Sequence, residues 1–414
     1  MKQKLYLFTE RFPYEGGEAA FLSAELDVLM QNYEVMIISH ASEEWKAAAH
    51  EEDRNRGYRH INISYKLNFL EIAYYALRYF CDKDGWKEIS DILKSRKGIC
   101  RKIYQSMGFY IRAMKHWHCL KKKKVLEPGE PFIYYSYWYT DYLYSITRNR
   151  EKFAGIKIIC RTHGFDLYDE RYLCGRQPFK PIMDAKLDKL VFVCEYSKNY
   201  YLKRYGYDDT KKYIVSKIGT ARPRKTVQKQ KKDEFVLLSC SRVVPLKRIE
   251  LIIDALSIWN GEKIEWHHMG GGPYYEAVCN YAKEKLSDNA NVKYLFHGNM
   301  EHRKILDFYA ETEVNCFITT SETEGSPVSI QEALAYGVPI IGTAVGAITE
   351  MIQNNGVLLP ANPTPEHICD ALKKIVTLNE MDYMKMRQCS RELWEKEYQA
   401  EKNARYMLEV LGGM

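Results

Sequence analysis

Glu324 and Glu332 bracket the string Glu-Gly-Ser-Pro-Val-Ser-Ile-Gln-Glu, which follows the apolar run Val314 to Thr319. The run reads as a buried strand. Ser326 suits a helix N-cap, Pro327 the first helical position and Gly337 a left-handed stop, and Pro339 prevents resumption. The pattern predicts a strand, a tight loop and a capped helix. Unpaired backbone N–H groups at such a helix start, with the positive end of its dipole, form a seat for an anion. A carboxylate just before that seat and another inside the helix suit a ligand that also offers hydroxyls, since carboxylates only accept hydrogen bonds. The implied ligand carries both phosphates and hydroxyls. A glutamate by itself is usually just solvated, so the whole string carries this reading rather than the pair.

Three further groups could take part in chemistry. Arg242 and Lys247 flank a short loop after the apolar run Phe235 to Cys240. Arginine grips a phosphate with two parallel bonds and lysine adds a point charge, which suits a diphosphate; the alternative is a pair of solvated cations. His163 stands in His-Gly-Phe-Asp after the run Ile156 to Arg161, a place where a lone histidine is more often structural. Gly16 and Gly17 follow the run Lys4 to Phe8 and would let backbone approach a phosphate, although glycines there also serve a plain turn.

These groups need strands and helices to hold them. Lys4 to Phe8 reads as a strand, Glu18 to Asn32 as a helix and Glu34 to Ser39 as the next strand, the start of a doubly wound sheet. Strands follow at Phe132–Tyr137, Ile156–Arg161, Leu190–Cys194 (with Ser197 as a helix cap) and Tyr213–Lys217. The polar, basic stretch Arg222 to Lys232 reads as a linker. The alternation then restarts with strands at Phe235–Cys240, Ile264–Met269, Val292–Phe296, Val314–Thr319 and Pro339–Gly342, and a helix at Ile249–Trp259. Loops Gly270-Gly271-Gly272-Pro273 and His297-Gly298-Asn299 close two of these strands. The expectation is two doubly wound α/β halves with a cleft between them: residues 1–224 with a returning helix over 388–414, and residues 225–387.

Composition sets outer limits. The chain has 414 residues, 46% hydrophobic and 28% charged, as expected of a globular protein of two or more domains. Its 33 tyrosines suit carbohydrate contact but equally a core or a membrane interface. The 11 cysteines are scattered, with no Cys-x-x-Cys, and Cys160, Cys194, Cys240 and Cys316 fall in strand-like runs, which predicts reduced core residues. Met1 to Phe8 has no signal-peptide pattern and no stretch is apolar enough to span a bilayer, so a cytoplasmic protein is expected, peripheral on the inner face of the plasma membrane. The peripheral expectation rests on residues 66–124. Leu67, Leu70, Tyr74, Leu77 and Phe80 fall on one helical face; beyond them Lys94 to Lys124 holds many cations and no acid, with Phe109, Tyr110, Met114 and Trp117 interleaved. That combination predicts an anionic membrane surface as partner, and no nucleic-acid signature accompanies it.

The string from Glu324 to Pro339 resembles the signature of the retaining GT-B glycosyltransferases of family 4, and the resemblance covers most of the chain, weakly from about Ala41 to Gly129. It implies a GT-B fold of two Rossmann-like domains facing across a cleft, the segment Met384 to Leu411 supplying a helix that crosses back to the first. It implies a nucleotide-sugar donor as substrate, with Glu332 on the ribose hydroxyls, Glu324 on the donor sugar, Arg242 and Lys247 on the leaving diphosphate and His163 beside the reacting sugar. Gly17, Gly298, Gly325, Ser326, Pro327 and Val328 would complete the donor site. Ser241 stands where the family commonly has glycine, and Gly271 where many members have aspartate. Neither metal nor cofactor is implied: the cations and the helix start at Ser326 would neutralise the diphosphate, and no Asp-x-Asp of the rival GT-A class closes a strand. The expected acceptor is a glycan or lipid-linked glycan in cell-surface polysaccharide biosynthesis. A GT-B epimerase and a non-catalytic nucleotide-sugar-binding protein remain as alternatives. A dehydrogenase would need Gly-x-Gly-x-x-Gly directly after a strand, and neither half has it.

Overall fold

The computed structural model of the chain describes residues 2–14, 18–41, 57–126, 129–172, 175–208, 210–223 and 234–412. The chain forms two compact units, Met1–Ser216 with Ala404–Met414, and Lys217–Asn403.

The first unit holds a parallel sheet of seven strands: β1 (Lys4–Phe8), β2 (Glu34–Ser39), β3 (Arg59–Asn62), β4 (Ile133–Ser136), β5 (Lys157–Thr162), β6 (Lys189–Phe192) and β7 (Tyr213–Val215), in the order β3-β2-β1-β4-β5-β6-β7. The strand order reverses between β1 and β4, where ligands of such sheets bind, beyond the strands' carboxyl ends. The strands β1, β2, β4 and β5 are short, largely apolar runs buried on both faces, as parallel strands covered by helices must be. One face carries the helix Ala19–Asn32 and the last helix, whose Met407, Val410 and Leu411 pack with Leu22, Leu26 and Leu29. The other carries three helices placed between β3 and β4: Phe69–Cys81, Lys83–Lys94 and Ile99–Lys122. Asn68 starts the first of these with a capping box, its side chain accepting from Glu71 N.

Within these helices the sequence expectation needs correction. Phe109, Tyr110, Met114 and Trp117 are buried, on the inward stripe of Ile99–Lys122 that packs against β1, β4 and their neighbours. They are core residues and do not form an exposed apolar face. The exposed apolar surface lies instead on Phe69–Cys81, where Phe69, Leu70 and Leu77 are 82%, 77% and 70% exposed and Tyr74 and Phe80 also face outward. That helix buries its opposite stripe, Tyr75 and Tyr79.

The second unit repeats the architecture with six strands: β8 (Phe235–Cys240), β9 (Ile264–Met269), β10 (Val292–Phe296), β11 (Cys316–Thr319), β12 (Ile340–Thr343) and β13 (Gly356–Leu359), all parallel in the order β10-β9-β8-β11-β12-β13. The reversal here lies between β8 and β11. Its core gathers Leu237, Trp266, Ile318 and Ile341 with the helices Ile249–Ser257, Tyr275–Leu286 and Pro365–Val376. Two cap expectations are also corrected. The helix after β11 is Val328–Ala335, with Pro327 in extended backbone at the N-cap, so Ser326 lies one residue too early to cap it. The helix after β6 is capped by Cys194, whose Sγ accepts from Ser197 N. Of the four cysteines expected in the core, Cys160, Cys194 and Cys316 are buried, whereas Cys240 is half-buried at the edge of a depression. Residues 224–232 of the expected linker lie outside the described residues.

Candidate active site

In the second unit, β8 and β11 deliver their loops to the same end of the sheet. The β8 loop lies against the β9 loop: Ser241 N donates to Met269 O (3.0 Å) and Val243 N to Gly271 O (2.9 Å). Glycine is required for that approach. Gly270 has φ +130°, and a Cβ on Gly270 or Gly272 would collide with the carbonyl oxygen of Ser241 or Val243. The result is an open depression of 680 Å³ lined by Ser241, Arg242, Gly270 to Pro273 and Asn299. Gly298, at φ +65°, takes a hydrogen bond from Gly270 N on its carbonyl (2.8 Å) and so turns Asn299 toward Gly271 N, which donates to Oδ1 at 3.0 Å. Arg242 is exposed over this depression.

Lys247 ends the turn Pro245–Lys247, and its ammonium pairs with the carboxylate of Glu324. Ser321 Oγ donates to the same Glu324 oxygen at 2.7 Å. A ligand that engages both members of this pair must offer an acceptor to the ammonium and a donor to the carboxylate, a requirement that a phosphate beside a hydroxyl meets. Gly325 and Ser326 continue the loop, with Ser326 Oγ accepting from Gln331 Nε2 (2.9 Å), and Val328 opens a helix whose first N–H groups have no side-chain cap. The helix start thus lacks the expected serine cap and keeps its first N–H groups without a side-chain partner. Glu332 is buried on that helix, where His302 Nε2 meets its Oε1 at 2.6 Å. That bond raises the His302 pKa against the opposing effect of burial.

Several residues that shape this site carry no motif in the sequence. Arg248 reaches across to the β11 loop, its Nε donating to Thr320 O (2.7 Å) and its Nη2 to Ser321 O (3.0 Å) and Ala361 O (2.7 Å). Thr343 Oγ1 donates to Ser321 O at 2.6 Å. Gly346, at φ +52°, lies under Glu324, where any Cβ would strike the Glu324 carbonyl oxygen. Arg248 and His302 bridge segments far apart in sequence, and only strand register reveals such pairings.

In the first unit, His163 follows β5. Its N–H donates to Asp166 Oδ1 (2.8 Å), its Nε2 lies 3.1 Å from Tyr137 O and its ring packs on Trp138 with centroids 4.3 Å apart. Burial pushes the imidazole down to about 3, so it is neutral at ordinary pH. The carbonyl partner places the proton on Nε2 and leaves Nδ1 as an acceptor. Gly17 lies outside the described residues. Its neighbour Glu18 fixes the loop after β1 by accepting from Glu10 N, Arg11 N and Phe12 N at 2.7–2.8 Å and from Trp138 Nε1. Beneath the loop Arg161, fully buried, pairs with Glu25 and bonds Tyr137 Oη and Ser216 Oγ.

No helix among the described residues is long and apolar enough to cross a membrane.

Residues 221–392 match the family model described as glycosyl transferases group 1. The O-antigen biosynthesis glycosyltransferase WbnH of Escherichia coli is 29% identical over 129 residues, 31% of this chain and 34% of that protein, so the match spans about a third of its length. Among solved structures, the apo form of the lipopolysaccharide outer core galactosyltransferase WaaB superposes with a TM-score of 0.67 at 14% identity over 99% of both chains. HepE of Anabaena in complex with UDP-glucose does so at 0.67 with 11% identity, again over 99% of each chain. The chain carries the GT-B fold, and its residues 221–392 are similar to the glycosyl transferases group 1 family.

Proposed function

We propose that the protein is a retaining, metal-independent glycosyltransferase that moves a sugar from a nucleotide-sugar donor to a glycan or lipid-linked glycan of a cell-surface polysaccharide. The observation that carries this is the Lys247–Glu324 pair beside the uncapped helix start at Val328, at the carboxyl ends of β8 and β11. WbnH, a relative in sequence, is named for O-antigen biosynthesis, and HepE, a neighbour in fold, was solved with UDP-glucose. In the proposed reaction the acceptor hydroxyl oxygen forms a bond to the anomeric carbon on the face the diphosphate leaves. The bond from that carbon to the diphosphate oxygen breaks, and the hydroxyl proton passes to that oxygen. Arg242, Lys247 and the helix N–H groups stabilise the growing negative charge. Glu332 holds the ribose hydroxyls and Glu324 the donor sugar, while His163 accepts a sugar hydroxyl on Nδ1. A thermal-shift screen of nucleotide sugars followed by donor hydrolysis tests this. The expected result is stabilisation by one nucleotide family and release of nucleoside diphosphate that persists in EDTA. Stabilisation without any release would favour a non-catalytic binding protein, and loss in EDTA restored by manganese would refute metal independence.

The protein is further proposed to work on an anionic membrane through the outward face of the helix Phe69–Cys81. Soluble monomers rarely leave so many large apolar side chains exposed together. Exposed Lys66, Arg78, Lys83 and Lys87 adjoin it, while the nearby acids are engaged: Glu71 with Lys115, Asp82 and Asp84 with Arg148, and Glu88 with Arg176. Sedimentation with anionic vesicles is expected for the wild type and should be lost in Leu70→Ser/Leu77→Ser. A wild type that stays in the supernatant at low salt excludes membrane docking.

A further inference from the structure

At the far end of the helix Ile99–Lys122 the first unit has an open cavity of 540 Å³. Its walls are apolar: Trp117, Leu120, Leu126 and Phe153, all largely buried in the core behind them. Among the described residues its rim carries only cations, Lys121, Lys124 and Lys152, and two of their ammonium groups lie over the Trp117 ring, Lys152 at 5.1 Å and Lys121 at 5.9 Å from the centroid. Among the described residues none of the three lysines has a carboxylate partner, and Glu151, next to Lys152 in the chain, is engaged by Lys186.

The backbone bears on the role of Lys124. The helix ends in a Schellman motif, with Val125 N donating to Leu120 O (3.1 Å) and Lys124 N to Lys121 O (3.0 Å). The left-handed position of that motif is ordinarily glycine; here it is Lys124, at φ +48°. Cations at a helix C-terminus are favourable in themselves, because the dipole is negative there. That accounts for lysines in the last turn. It does not account for a lysine in a strained position, for Lys152 from a separate segment, or for an apolar cavity between them.

We propose that this cavity binds an anionic amphiphile, the walls taking the start of a hydrocarbon chain and the three ammonium groups its phosphate. The volume lies within the ~300–1,000 Å³ typical of small-molecule sites, and lysine is a suitable point-charge partner for phosphate. The phosphate is that of a lipid, because free phosphate would use the rim and leave the walls unused. The site is independent of the glycosyl-transfer reading and of the Phe69–Cys81 face, and resting on neither it can fail separately from both.

Titration calorimetry with dihexanoyl phosphatidic acid, dihexanoyl phosphatidylcholine and inorganic phosphate, all as dispersed monomers, tests it on the full chain. The wild type should bind the phosphatidic acid saturably, with the phosphatidylcholine at least about tenfold weaker and inorganic phosphate weaker still, since ammonium–lipid-phosphate contacts supply the preference. Lys121→Gln/Lys152→Gln should lose about tenfold in phosphatidic acid affinity and with it the preference over phosphatidylcholine. Leu126→Trp, which fills the cavity, should weaken both lipids. Equal binding of the two lipids, equal binding of free phosphate, or no saturable binding by the wild type would each overturn the assignment. If the lysine variant fails to fold, the lipid preference of the wild type and the Leu126→Trp result decide alone.

Discussion

The two units share one topology, yet the ends of their sheets are chemically opposite. At the β8/β11 reversal of the second unit the side chains are charged and within reach of solvent: Arg242 over a glycine-lined depression, Lys247 against Glu324, and a helix start without a cap. At the β1/β4 reversal of the first unit several charges are buried and paired with protein groups. Glu18 accepts from the β1 loop and Trp138, Asp166 accepts from Tyr139 N and His163 N, and Arg161 pairs with Glu25 in the core. The doubly wound sheet supplies an address for a ligand but not its chemistry. In one unit the address carries exposed charge and open backbone N–H groups, which suit the phosphate and hydroxyls of the proposed donor; in the other the polar groups hold the loops still around His163 and its aromatic neighbours.

This contrast can be broken or sharpened by substitution. The largest effect is expected from Arg161→Met, which strands Glu25 in the core. Breaking a buried pair costs about 3–5 kcal/mol. Thermal unfolding should begin at a much lower temperature, while free nucleotide affinity measured well below the transition stays unchanged; a weakened affinity there would mean that the first unit's buried charges serve ligand binding after all. Next comes Arg242→Ala/Lys247→Ala, for which the turnover rate should fall by about a hundredfold or more with smaller loss of donor binding, because the contacts strengthen as the diphosphate departs. Normal turnover in that variant removes the second unit's site. The glutamates separate by role at roughly tenfold each: Glu324→Gln should slow sugar transfer and spare binding of free nucleoside diphosphate, and Glu332→Gln should weaken that binding, both read by calorimetry beside steady-state rates. The reverse pattern exchanges their roles.

The smallest effect concerns His302. Its hydrogen bond with Glu332 raises its pKa above the ordinary 6.5. The folded chain therefore holds this proton more tightly than the unfolded chain. The stabilisation is complete below pH 6.5 and disappears as pH climbs through the raised value. The melting-temperature gap between wild type and His302→Gln should accordingly be wider in mildly acidic than in alkaline buffer, and a gap independent of pH would show that protonation of His302 is not coupled to folding.

Much of the fold is legible in the amino-acid sequence alone. β1, β2 and β8 are found where their apolar runs predict them, since a strand buried on both faces leaves a continuous hydrophobic signature; β9 and β10 also fall at their expected bounds, although β9 carries Glu265, His267 and His268 and β10 is a partly exposed edge strand. β3 and β13, one polar and one glycine-led, sit at sheet edges and leave none. Glu324 and Glu332 are conspicuous because strand, loop and helix fall within one short string. The partners of Glu332 and of the β11 loop are not, because His302 is 30 residues from Glu332 and Arg248 is 72 from Thr320. The misplacement of Phe109, Tyr110, Met114 and Trp117 has a different origin. Counting charges between Lys94 and Lys124 hides the helical period, which places those four and Ala113 and Leu120 on a single inward stripe. On Phe69–Cys81 the period is visible, but both stripes are apolar, and periodicity does not say which one turns inward.

Gly346 carries a consequence for anyone who ranks the positions of this chain by tolerance to change. It bears no functional group, yet its missing side chain defines how close the β12 loop comes to the Glu324 backbone. In a saturation scan scored by activity it should fall among the least replaceable positions, beside Glu324 itself. Alanine, the smallest alternative, should already be rejected there, whereas Glu324→Gln leaves the backbone in place. A map of intolerance would thus mark the two alike, and only the pairing of a gentle with a steric replacement separates a residue that touches the ligand from one that makes room for it.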